Sequence, residues 1–257
     1  MKLHFGVGRL AWLSAALVLI SACASASPIF GQFGVSGPGV LVFNNAGSNF
    51  LQFCTFANAT GAGCLPPVTA TGDFGVSGPG TNSFSVLTTA DVGTVKNTSD
   101  HTGNPPFSFL PTGVSTTLNN YLTIASKPTW NFQANLLLPA ACPGGNTASQ
   151  VCIGPFQLNQ NNVNVNVFMN VLGTLINTAD NTTSTLNISF SATYNNTTIQ
   201  QVIQQAQSAT GAFNPSWAAT ISASAIPEPS TSSMLIGGGC LLALSQIRRR
   251  RRPATLL

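Results

Sequence analysis

Residues 162–171 read NVNVNVFMNV, so that Val163, Val165, Val167, Met169 and Val171 alternate with Asn162, Asn164, Asn166 and Asn170. In an extended chain successive side chains point to opposite faces, so this period of two makes one apolar face and one amide-rich face. The same arithmetic recurs three times. Trp130, Phe132, Ala134, Leu136 and Leu138 alternate with Asn131, Gln133 and Asn135. Leu186, Ile188, Phe190, Ala192 and Tyr194 alternate with Thr185, Asn187, Ser189, Ser191 and Thr193. Trp217, Ala219, Ile221, Ala223 and Ala225 alternate with Ser216, Thr220, Ser222 and Ser224. Four such runs predict antiparallel sheets with one buried face each. Two of these packed face to face give an all-β fold, an antiparallel β-sandwich.

One segment departs from this period. Within residues 197–209, Ile199, Val202, Ile203 and Ala206 fall at helical spacing behind Thr197 or Thr198 as N-cap, which predicts one short helix plugging an end of the sandwich. Residues 177–183 (NTADNTT) read as a turn between two strands. Upstream, residues 40–43, 50–56 and 83–87 read as further strands. GQFGVSGPG at 31–39 recurs as GDFGVSGPG at 72–80, identical at eight of nine positions. In each copy Phe and Val alternate as in a strand, and Gly-Pro-Gly is expected to turn, because proline presets φ and glycine tolerates φ > 0. A phosphate-cradling loop is the other reading, but no Lys or Ser/Thr for a magnesium ion follows and no helix begins there.

Both ends of the chain read as addresses. Lys2 and Arg9 precede the apolar stretch 10–20, and Ala24-Ser25-Ala26 closes it with small residues, which predicts a signal peptide over 1–26. Ile20-Ser21-Ala22-Cys23 also fits a lipoprotein cleavage site with Cys23 acylated, but the cut after Ala26 is preferred. At the other end stand Pro227, Glu228 and Pro229, then the apolar run 234–247, then Arg248, Arg249, Arg250, Arg251 and Arg252. Fourteen residues make a helix of roughly 21 Å against a hydrocarbon core of about 30 Å, a marginal span. The arginines would stop it on the cytoplasmic side.

A Pro-Glu-Pro triplet, a hydrophobic helix and a basic cluster in that order, over residues 227–252, resemble the PEP-CTERM sorting signal of bacterial secreted and surface proteins. The resemblance implies that Pro227, Glu228 and Pro229 are read by an exosortase-like processing enzyme. It also implies that the helix anchors the chain transiently in the cytoplasmic membrane, and that the product goes to the cell surface or an exopolysaccharide-rich, biofilm-type matrix. The expected organisation is therefore signal peptide 1–26, β-sandwich body 27–226, sorting signal 227–252 and a short tail 253–257.

The formal charge of +4 is concentrated in these end segments. Between residues 27 and 226 the charged side chains are Lys96 and Lys127 against Asp73, Asp91, Asp100 and Asp180. Such a body cannot neutralise a run of phosphates, which argues against nucleic acid as a partner. Cys54, Cys64, Cys142 and Cys152 are disulfide candidates. Four cysteines allow three pairings, of which the local ones, Cys54–Cys64 and Cys142–Cys152, are preferred. No C-x-x-C spacing or histidine pair points to a metal, and no cofactor motif occurs.

His101 is the one histidine of the body, beside Asp100, but no G-x-S-x-G elbow or facing pair of carboxylates accompanies it, and the four aspartates fall in separate segments. No catalytic residues are assigned. The expectation is an exported, non-enzymatic surface or matrix protein. The alternative is a secreted carbohydrate-binding module in which Trp130 or Trp217, or Tyr121 or Tyr194, stacks on sugar rings.

Overall fold

The computed structural model describes residues 27–43, 49–56, 70–101, 107–208 and 211–226. The stretch expected to be a signal peptide, the Pro-Glu-Pro triplet, the apolar run with its arginines, and Cys23 and Cys64 lie outside the described residues. Among the described residues no helix is long and apolar enough to cross a membrane.

Pro28–Ala225 forms one compact unit. Its strands are β1 (Gly31–Phe43), β2 (Asn49–Phe53), β3 (Thr71–Val76), β4 (Val92–Lys96), β5 (Thr98–Ser99), β6 (Ser108–Phe109), β7 (Leu118–Ile124), β8 (Trp130–Leu137), β9 (Gln150–Ile153), β10 (Phe156–Asn161), β11 (Asn164–Asn177), β12 (Thr182–Tyr194) and β13 (Ala212–Ala225). The four alternating runs are β8, β11, β12 and β13, and residues 178–181 join β11 to β12 as a tight turn. The helix, α1, spans Ile199–Ala206.

The strands follow one another by hydrogen bonding as β13, β12, β11, β8, β7, β4, β3 and β1, and β1 pairs back onto β13. Eight strands thus close into a barrel-like sheet. The four alternating runs are consecutive neighbours in this one sheet, which is hydrogen-bonded all the way round. Closure removes the open edges that a stack of two sheets would present. The wall is extended on either side by strands that pair with the remaining halves of two long ones: β2 with the end of β1, and β10, carrying β9, with the start of β11.

The interior is filled by the apolar phase of each strand, with two departures from the expected alternation. In β8 the register against β11 slips after Ala134, so that Leu137 is buried in place of Leu136 and Leu138, and Val163, just outside β11, is exposed. At the end where β1 begins, Phe33 packs on Phe84 at 4.7 Å and on Phe132 at 6.2 Å between ring centroids. Phe84 lies in residues 83–87, expected as a strand, where Asn82–Val86 fold instead as a short 3-10 helix with Phe84 buried. Here the Thr81 and Ser83 hydroxyls accept from the backbone N–H groups of Gln32 and Phe30, long-range bonds that hold the segment out of extended pairing. At the other end α1 closes the core with Ile199, Val202 and Ala206, as its helical spacing required. Thr198 caps it: its hydroxyl accepts from Gln201 N, while Gln201 Oε1 accepts from Thr198 N at 2.9 Å.

The nine-residue repeats lie side by side, antiparallel, with Val35 opposite its counterpart Val76. The Ser77 hydroxyl donates to that of Ser36 at 3.3 Å. Their Gly-Pro-Gly segments part company. Residues 78–80 leave the strand as expected, but residues 37–39 do not turn, and β1 runs through them to Phe43. The ring of Trp217 lies against this stretch, its Nε1 donating to Pro38 O at 2.9 Å. A Cβ on Gly39 would stand 2.9 Å from Trp217 Cδ1. The glycines of this copy therefore make room for an indole and do not reverse the chain.

Candidate binding site

The tryptophans expected to stack on sugars are engaged elsewhere. Trp217 is 2% exposed and packs on Phe53 at 4.8 Å and Phe190 at 5.5 Å. Its apolar phase in β13 carries it inward, so it cannot meet a ligand. Trp130 is half-buried, edge-on to Phe84 at 5.4 Å, with Lys127 Nζ 5.6 Å from its ring centroid. Tyr121 and Tyr194 are buried as well, and burial pushes both phenols well above their ordinary value of 10.0. Tyr194 donates its hydroxyl proton to Ala212 O at 3.0 Å.

The four aspartates do not converge. Asp73 accepts from Phe56 N, Asp100 from Asn49 N, and Asp180 from Thr182 N and Oγ1. Asp91 accepts from Thr88 N at 2.7 Å, and hydrogen bonds from Ser126 and Thr88 hold its carboxyl below the ordinary 3.8. Asp91 and Asp180 organise local turns, whereas Asp73 and Asp100 tie together segments distant in sequence. His101 is 58% exposed, 4.0 Å from Asp100. Cys142 and Cys152 are joined in a disulfide, with Cα atoms 6.0 Å apart. Cys54 is also disulfide-bonded.

A different feature forms a site. β12 and β13 stay paired from Ser184–Ala225 to Ala192–Trp217, and then part. The cause lies in β13, where the register against β1 slips between Trp217 and Asn214, putting two residues, Pro215 and Ser216, opposite one. Proline has no N–H for the ladder, and such a bulge bends its strand. Asn214 spans the gap, its Nδ2 donating to Thr193 O at 2.9 Å while its Oδ1 accepts from Ser216 N. The result is a groove of about 670 Å³ between the two strand ends and the Gln201/Gln205 face of α1.

Every residue lining this groove is uncharged. Ser191, Asn195, Gln205 and Ser216 contribute side chains that make no hydrogen bond among the described residues, so their donors and acceptors remain open. A second hollow of about 300 Å³ shares Asn196, Thr197 and Gln201 with it and continues round the start of α1. Gln160 of β10 fixes that corner, with Oε1 accepting from Ile199 N at 3.0 Å and Nε2 donating to Thr197 O at 3.1 Å.

At the groove's margin stands a residue that the alternation analysis passed over. Phe168 occupies the outward, amide-bearing phase of β11, directly opposite Ser191, and is 36% exposed. An aromatic in the polar phase of a strictly alternating strand is the sequence signal that marks it. The groove itself has no such signal, since it arises where two strands separate. No family model, curated protein or solved structure matches this chain.

Proposed function

We propose that this is an exported, non-enzymatic protein of the cell surface or extracellular matrix, processed at Pro227, Glu228 and Pro229 by an exosortase-like enzyme. The observation that carries the reading is the order of triplet, apolar run and five arginines over residues 227–252. In this reading the apolar run holds the chain in the cytoplasmic membrane until cleavage, and an exopolysaccharide matrix is the destination.

The body's chemistry supports the same reading. A disulfide suits an oxidising compartment, and a surface solvated by Asn, Ser and Thr is indifferent to ionic strength. The start of β1 lies beside the end of β13, with Gly31 opposite Ala223. Both ends of the body therefore leave from one end of the barrel, opposite α1 and the groove. Carbohydrate stacking on Trp217 forms no part of the proposal, because that ring is buried.

The test is the intact mass of the protein recovered from the surface and medium of the producing cell. A species beginning near Ser27 and ending close to Pro227–Pro229 is expected. One retaining the five arginines would overturn the processing step.

A further inference from the structure

We propose that the groove between the diverging ends of β12 and β13, with Phe168 at its margin, binds a neutral polysaccharide chain. The inference needs the exported-matrix reading only for where such a chain would be met.

Its volume lies within the range of small-molecule sites, about 300–1,000 Å³. The lining excludes ionic recognition, because no charged group is present to pair with a phosphate, sulfate or carboxylate. What the groove offers is a mixture of amides and hydroxyls, each able to donate and to accept. Sugar hydroxyls do the same, so a neutral sugar can engage Ser191, Asn195, Gln205 and Ser216 without leaving an ion desolvated.

Phe168 supplies the apolar element that such a site needs. Its opposite neighbours are Gln157 on one side and Ser191 on the other, and Ser191 in turn faces Ala218. With strands about 4.8 Å apart, Phe168 stands about 10 Å from Ala218 across the outer face. The CH face of one sugar unit can lie on the Phe168 ring while its neighbours reach into the groove. Continuation into the second hollow, past Asn196, Thr197 and Gln201, favours a polymer over a single sugar.

Affinity electrophoresis of the full-length chain in detergent tests this. The gels contain a β-glucan, a galactan, a mannan, the neutral fraction of the producing cell's own exopolysaccharide, or the anionic polygalacturonate. At least one neutral polymer is expected to retard the chain, with the retardation kept at high salt. Phe168→Ala should weaken binding about tenfold, the worth of one well-placed aromatic contact. Asn195→Ala combined with Gln205→Ala should weaken it by about fivefold, since each side chain replaces a water contact at modest net gain. Trp130→Phe should bind as the parent does. The proposal falls if no neutral polymer retards the chain, if retardation survives both groove variants, or if only polygalacturonate at low salt binds. Far-ultraviolet circular dichroism of each variant separates lost binding from lost fold. A chain that binds but keeps its arginines in the cell would leave this site standing while processing at the triplet fell.

Discussion

The two copies of the repeat allow one substitution to be made twice, in the same local sequence, with opposite outcomes expected. Gly37 and Gly78 are equivalent positions. At Gly37 an added Cβ would lie 2.5 Å from Asp73 O and 3.3 Å from two atoms of the Trp217 ring, short of the 3.4 Å at which ordinary contact begins. The carbonyl cannot swing away, because Asp73 is paired in the sheet with Thr94 and donates its own N–H to Cys54 O. Overpacking of this kind costs about 1–3 kcal/mol, and the fixed backbone partner places Gly37→Ala at about 3 kcal/mol. At 2–4 °C per kcal/mol for a domain of this size, Tm should fall by roughly 6–12 °C. At Gly78 nothing lies within 4 Å, and its φ is not in the left-handed range. Gly78→Ala should therefore be neutral or stabilising by about 0.4–1 kcal/mol, through reduced freedom of the unfolded chain. Thermal unfolding of both full-length variants, followed by circular dichroism with the disulfides intact, makes the comparison. Equal shifts, or a tolerated Gly37→Ala, would refute the passage of β1 beneath the Trp217 ring.

Both tyrosines of the chain are buried with their phenol pKa raised by that burial, which fixes the sign of an alkaline effect. The stability they contribute is complete below the ordinary value of 10.0 and is lost as pH rises beyond it, because only the unfolded chain can ionise there. Ultraviolet titration should show phenolate appearing together with unfolding. Ionisation of either tyrosine at its ordinary value in folded protein would contradict the burial. Gln160→Leu removes the amide that holds the start of α1 and leaves Ile199 N–H without its acceptor, at a cost of about 1–3 kcal/mol. Hydrogen exchange should quicken first in residues 197–206, and a uniform change across the barrel would contradict a local role.

The strands of the second half were legible because alternation is a local property. Burial of one face suffices to set the phase of β11, β12 and β13, and of β8 as far as Ala134, beyond which a slip against β11 turns Leu137 inward. The helix was legible for the same reason, from its cap and its apolar stripe. Residues 83–87 misled because Phe84 and Val86 alternate like a strand, while the Thr81 and Ser83 contacts that bend the segment come from residues about fifty positions earlier. The expected aromatic site failed on phase: Trp217 belongs to the inward set of its run, and Phe168, in the outward set of its own, is the exposed ring.

By itself, the sequence determined that β8, β11, β12 and β13 are extended, which face of most of their length is apolar, where helix α1 begins, and what the two ends of the chain resemble. It could do so because these properties depend on neighbours within one or two turns of chain. Only the tertiary structure decided that the walls join into a closed sheet, since closure depends on β1 finding β13 across most of the chain. It also decided that one Gly-Pro-Gly leaves its strand while the other runs straight on, because the difference is the indole of Trp217. The groove was settled at the same level: it exists because a bulge at Pro215 and Ser216 separates two strands that alternation alone would have kept paired.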